Sequence, residues 1–232
     1  MGSGILLEYK GKRFLVTAAH VIDLLKGQKV YIYIGSEFYE VNGLQALTSN
    51  MDLMISREDD PLDIGVIQMP KRLELQTANY RFVTQDLYIK GLSINSGFYQ
   101  ALGYPYKRNS HLANRTAKVP GEFRSEGLRY TMVDITNTVL PDRIYSPVHH
   151  IATSHPGLGR KQGECDRINL PDLHGISGGL LQKVTEYNML TDEFSGAYPS
   201  GVILGSNKRG DAVISIRLSL VFECLEIWRN EW

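Results

Sequence analysis

The sequence predicts an all-β fold closed by a single C-terminal helix, and three observations predict it. Short apolar, β-branched and aromatic runs dominate the chain, Gly, Asn, Asp and Lys interrupt them at turn-like spacings, and only the last segment changes period. The first series of candidate strands is Ile5-Leu-Leu-Glu-Tyr9, Phe14-Leu-Val-Thr-Ala18, Val30-Tyr-Ile-Tyr-Ile34, Phe38-Tyr-Glu-Val41 and Ile64-Gly-Val-Ile-Gln-Met69. Lys10-Gly-Lys, Gly35-Ser and Asn42-Gly supply the turns between them. Met1-Gly-Ser-Gly4 stays outside the series.

A polar stretch of weak periodicity follows Pro70 and runs to about Thr84, which reads as a linker. The second series is Leu87-Tyr-Ile89, Phe98-Tyr-Gln-Ala-Leu102, Tyr130-Thr-Met-Val-Asp-Ile135, Leu180-Leu-Gln-Lys-Val184, Val202-Ile-Leu204 and Ala212-Val-Ile-Ser-Ile216. Between Asn137 and Pro171 the chain is rich in Pro, His, Gly and charge, so long surface loops are expected there. At the end, Leu218, Val221, Phe222, Leu225 and Trp228 recur at three- and four-residue spacing, the pattern of an amphipathic helix.

Composition narrows the function classes. With 232 residues and 43% apolar content the chain can bury a real core, which excludes a disordered or fibrous protein. The 25 basic and 25 acidic side chains cancel, so no global field advertises nucleic acid or an anionic membrane as a partner. Cys165 and Cys224 stand far apart and are expected to be reduced. No secretion signal or membrane-spanning run is evident, and the expectation is a soluble, cytoplasmic protein. His149, His150 and His155 have no acidic or cysteine partners at a metal-binding spacing, so neither metal nor cofactor is expected.

Three features can carry chemistry. Gly175-Ile-Ser177-Gly-Gly179 places a serine among glycines just before an apolar strand, where the backbone can take unusual dihedrals and approach a substrate closely. The amides of Gly175 and Ser177 can then form an oxyanion hole, although such a run taken alone is as often an ordinary glycine-rich turn. Phe14-Leu-Val-Thr-Ala-Ala-His20 runs a hydrophobic strand into a histidine, which alone is more often a capping residue than a catalyst. In Asp59-Asp-Pro-Leu-Asp63-Ile-Gly-Val66 an acidic turn enters an apolar strand, and Asp63 is the carboxylate expected to be buried. A serine nucleophile needs a base, and that base needs a carboxylate to hold its tautomer. The chain offers all three.

Taken together, Thr17-Ala-Ala-His20, Asp63-Ile-Gly-Val66 and Gly175-Ile-Ser-Gly-Gly179 resemble the triad motifs of the trypsin-like, chymotrypsin-fold serine peptidases. Gly97-Phe-Tyr-Gln-Ala-Leu-Gly-Tyr-Pro105 resembles a second-barrel strand and turn of bacterial relatives, and Gly201-Val-Ile-Leu-Gly205 resembles the strand that lines their specificity pocket. The resemblance implies a catalytic triad of His20, Asp63 and Ser177 and two six-stranded β-barrels with a C-terminal α-helix. Its expected boundaries are a first barrel over 1–72, a linker over 73–85, a second barrel over 86–216 and the helix over 217–232. It further implies a protein or peptide substrate, for which Asp172, His174 and Gly205 are candidate contacts, although His174 reads more readily as a solvated loop histidine.

Three departures matter, the first being that the sequence begins almost at the strand leading to His20, which is expected to leave little for the first barrel's opening strand. Ile176 stands where digestive members carry the aspartate that pairs with a newly cut N-terminus, and Pro171 stands at the pocket base. Activation by chain cleavage and Arg/Lys specificity are therefore not carried over. Short peptidases of this kind resemble effectors of bacterial stress or defence systems, which implies a regulatory partner or fused sensor domain. The alternative is a catalytically idle fold of the same kind, used as a recognition or scaffold module.

Overall fold

A two-residue turn sets the first pairing of the fold. β1 (Ile5–Tyr9) and β2 (Lys12–Ala18) run antiparallel with Tyr9 opposite Lys12, leaving Lys10 and Gly11 as the loop. Their φ values of 48° and 75° are those of a type I′ turn, whose twist matches the strands it joins. The computed structural model describes residues 2–23, 31–34, 37–40, 46–49, 60–69, 80–104, 128–138, 146–154, 159–160, 167–168, 173–185, 187–188, 193–206 and 212–231.

Beyond β2 come α1 (Ala19–Asp23), β3 (Tyr31–Ile34), β4 (Glu37–Glu40), β5 (Ala46–Thr48), β6 (Ile64–Gln68) and β7 (Val83–Thr84). Among the described residues they form an open five-stranded sheet in the order β5-β6-β2-β1-β7, with β3 and β4 as a separate hairpin. The first half is thus an open sheet where a closed six-stranded barrel was expected. Part of the reason is β7, which adds to the free edge of β1 in parallel, Leu7 opposite Val83, and ties the expected linker into the sheet.

The chain continues through α2 (Gln85–Leu92), β8 (Phe98–Gly103), β9 (Leu128–Asp134), β10 (His150–Ser154), β11 (Gly159–Arg160) and β12 (Arg167–Ile168). Then come β13 (Leu180–Val184), β14 (Tyr187–Asn188), β15 (Glu193–Phe194), β16 (Ala197–Ser206), β17 (Ala212–Arg217) and α3 (Leu218–Ile227). Six of these strands close a barrel in the order β10-β17-β16-β13-β8-β9, as expected for the second half. Two expectations fail here. Leu87-Tyr-Ile89 is helical, because Thr84 caps the segment by accepting the Leu87 N–H at 3.2 Å, with Asp86 in the first turn. The stretch read as loops from Asn137 to Pro171 contains β10, the strand that closes the barrel by pairing with β9 and β17.

There are two buried clusters, and the second of them joins the halves. Tyr99, Ala101, Met132, Ile176, Leu181, Ile203 and Val213 fill the barrel. Ile5, Leu7, Phe14, Val16, Ile64 and Val66 of the open sheet meet Val202, Leu204 and Ile216 of the barrel together with Leu218, Val221, Phe222 and Leu225 of α3. Because strand side chains alternate, Ile203 points into the barrel while Val202 and Leu204 face the sheet and helix. β16 is a wall common to both cores.

Cys224 is a buried free thiol whose pKa burial pushes up to about 11, so it stays protonated and inert at neutral pH. Cys165 lies outside the described residues. Among the described residues no helix is long and apolar enough to cross a membrane.

Candidate active site

The end of β2 and the start of β6 bring His20 and Asp63 together. Ala18 pairs with Ile64 across the sheet, and the Ala19 N–H donates to the Asp63 carbonyl at 2.8 Å. Both carboxylate oxygens of Asp63 then engage His20: Oδ1 accepts the backbone N–H at 2.9 Å, and Oδ2 lies 2.7 Å from the ring Nδ1. An ionised carboxylate only accepts, so Nδ1 donates to Asp63 and Nε2 is the ring nitrogen left on the side away from the carboxylate. The Asp63 side chain is 3% exposed and that of His20 33% exposed. The acid is shielded from water while the base is reachable.

Asp63 reaches this position at φ +45°, a left-handed conformation uncommon for a side-chain-bearing residue. Strain of this kind persists only where neighbours fix it. Asp60 accepts from the Leu62 N–H at 3.0 Å and from the Ser49 hydroxyl at 2.6 Å, and Ser49 Oγ accepts the Ile64 N–H at 2.9 Å. From the barrel, His150 donates through Nε2 to the Pro61 carbonyl at 2.7 Å. That ring is 1% exposed, and its Nδ1 lies 3.1 Å from the Ser146 N–H. His150 is thus a buried strut across the halves. Sequence reasoning weighed it only as a metal ligand, since a contact 89 residues away leaves no local signal.

The serine turn is built one peptide at a time. Ile176 N–H closes the turn Leu173-His174-Gly175-Ile176 on the Leu173 carbonyl at 3.0 Å, and Gly175 has φ +90°, the hand of a type II turn at that position. The Ile176 carbonyl accepts from Gly179 N–H at 2.8 Å, and the Gly178 N–H donates to Ile203 O at 2.7 Å. Ile176 itself is fully buried in the barrel core, so apolar packing anchors the turn. Among the described residues the N–H groups of Gly175 and Ser177 have no hydrogen-bond acceptor.

Ser3 joins this turn to β2. Its N–H donates to the Ser177 carbonyl at 2.8 Å, its hydroxyl donates to the Gly175 carbonyl at 3.1 Å, and its carbonyl accepts from the Thr17 hydroxyl at 2.7 Å. Thr17 is three residues before His20, so the serine turn rests on the strand that delivers the histidine. Among the described residues no hydrogen bond joins Ser177 Oγ to His20.

Gly178 has φ +87°, and a Cβ there would collide with the Ser3 carbonyl and the Thr17 hydroxyl. Gly178→Ala is therefore expected to destabilise the fold by on the order of 3 kcal/mol or more, read as a lower urea midpoint at unchanged slope. A midpoint equal to that of the parent protein would show that this close approach is not needed.

Of the other candidates, His174 is exposed at the second position of the turn. Gly205 lies on β16, where the register with β17 shifts between Ile203 and Gly205. Pro171 and Asp172 lie outside the described residues.

No protein-family model matches the chain, and no curated protein aligns with it significantly. Among solved structures the chain is similar to the Rv3671c protease in its inactive form, at 13% identity and a TM-score of 0.46, covering 97% of this chain and 82% of that one. A serine-to-alanine mutant of the same Mycobacterium tuberculosis protein matches at 12% identity and a TM-score of 0.44, covering 95% and 77%. A structure from a study of the coupled folding and binding of the intrinsically disordered Sesbania mosaic virus VPg protein matches at 12% identity and a TM-score of 0.49, covering 94% of this chain and 80% of that one.

Proposed function

We propose that the chain is a serine endopeptidase that works through His20, Asp63 and Ser177. The observation that carries this reading is the two-point grip of the buried Asp63 carboxylate on His20, which fixes both the ring's place and its tautomer. A histidine that only capped a helix would have no need of a buried carboxylate on Nδ1.

In this reading His20 Nε2 takes the proton of Ser177 Oγ as that oxygen attacks the scissile carbonyl of a peptide. The carbonyl oxygen becomes an oxyanion held by the Gly175 and Ser177 N–H groups, the two amides of the turn without an internal acceptor. His20 then passes its proton to the leaving amine, and water hydrolyses the acyl-enzyme with His20 again as base. The apolar, buried Ile176 offers no counter-ion to a terminal ammonium, so chain cleavage has no driving force as a switch. Control falls instead to a partner protein or fused domain, as in an effector of a bacterial stress or defence system.

A fluorophosphonate probe followed by mass spectrometry tests the assignment. Covalent labelling is expected at Ser177 and is expected to vanish in His20→Ala. An unlabelled Ser177 in folded protein would favour the idle recognition module.

A further inference from the structure

We propose that Ser3 is a positioning residue for the oxyanion turn, a role that rests on the hydrolase reading above. All of its polar groups are committed. Besides the three bonds already described, Ser3 Oγ accepts the Tyr104 N–H at 2.9 Å, so the hydroxyl receives from the end of β8 and donates its single proton to Gly175. The residue is 6% exposed, and its hydroxyl bond to Gly175 spans 172 positions along the chain.

What those bonds hold follows from the order of peptide units in the turn. The unit joining Gly175 to Ile176 is clamped at both ends, its N–H by Leu173 O and its carbonyl by Ser3 Oγ. The unit joining Ser177 to Gly178 is clamped likewise, its N–H by Ile203 O and its carbonyl by the Ser3 N–H. Between them, the Ile176 carbonyl is taken by Gly179, which turns the Ser177 N–H the opposite way. Ser3 thus supplies one clamp on each side of Ser177, so the Ser177 amide lies between two fixed peptide units and the Gly175 amide lies one unit before the first of them. The hydroxyl matters because glycine at position 175 has no side chain to resist rotation about its own φ.

The test uses 4-nitrophenyl acetate, whose burst counts working sites, together with fluorophosphonate labelling rates for the parent protein, Ser3→Ala and Ser3→Thr. Ser3→Ala is expected to lower the acylation rate per titrated site about tenfold or more, less than the loss of a whole oxyanion donor, with KM within about twofold. Ser3→Thr, which keeps the hydroxyl, is expected to recover most of that rate. Fewer titrated sites with a normal rate at each would show a merely structural residue and overturn the proposal. A parent protein that shows neither burst nor labelling refutes the hydrolase reading instead. Amide hydrogen exchange then decides on Ser3 alone: faster exchange at Tyr104 and Ile176 in Ser3→Ala supports the clamp, and unchanged exchange refutes it.

Discussion

Ser177→Ala, and separately His20→Ala, are each expected to lower turnover about a million-fold, the scale seen when one member of a serine–histidine pair acting as a unit is removed. Either change alone disables the nucleophile: alanine at 177 removes the attacking oxygen, and alanine at 20 leaves a hydroxyl with nothing to take its proton. The fold should tolerate both. Ser177 makes its structural bond through its backbone carbonyl to Ser3, and the His20 ring is one-third exposed. The check is turnover on a casein or peptide-library substrate, alongside circular dichroism and urea midpoints for each variant. The double variant should be scarcely worse than either single one, and a Ser177→Ala protein that cleaves at the parent rate would end the peptidase assignment.

Asp63→Asn is expected to cost roughly ten-thousand-fold in turnover, because an amide cannot satisfy both bonds that the carboxylate makes. If the amide oxygen keeps the His20 N–H, the NH2 group faces Nδ1 and forces the ring proton onto Nε2, where it blocks the base. If the amide turns over, two N–H donors meet at the His20 backbone. Stability should change far less than activity. Asparagine adopts positive φ as readily as aspartate, so the backbone conformation at φ +45° survives the exchange. Turnover measured beside a urea unfolding curve separates the two effects. Unaltered turnover in Asp63→Asn would remove Asp63 from the triad.

The contrast between what local sequence showed and what it hid has a physical basis. Strands such as Ile5–Tyr9, Phe98–Gly103 and Ala212–Arg217 were legible because each is a β-branched or aromatic run with turn residues at its ends. The pairing of His20 with Asp63 was foreseeable because a buried carboxylate needs a donor and a histidine at the end of the neighbouring strand supplies one. α2 was misread since Leu87-Tyr-Ile89 has strand-like composition, and the Thr84 cap outweighed it. β10 was missed because His150-Ile-Ala-Thr-Ser154 is short and polar, and acquires its place only by pairing with β17. Ser3 and His150 were hidden for a related reason. Their partners lie 172 and 89 positions away, and no periodicity encodes such contacts.

The two struts also run in opposite directions across the molecule. Ser3, at the head of the first sheet, braces the serine turn of the barrel, while His150, in the barrel, braces the acid turn of the sheet. Because a chain is made from its N-terminus, His20 and Asp63 leave the ribosome long before the barrel strands that support them. A nascent or truncated chain lacking β10 leaves the Pro61 carbonyl without its strut, and one lacking β16 has no Ile203 carbonyl to seat Gly178. Each turn therefore gains its full set of hydrogen bonds only once the strand that braces it, β10 for the Asp63 turn and β16 for the Ser177 turn, has been made.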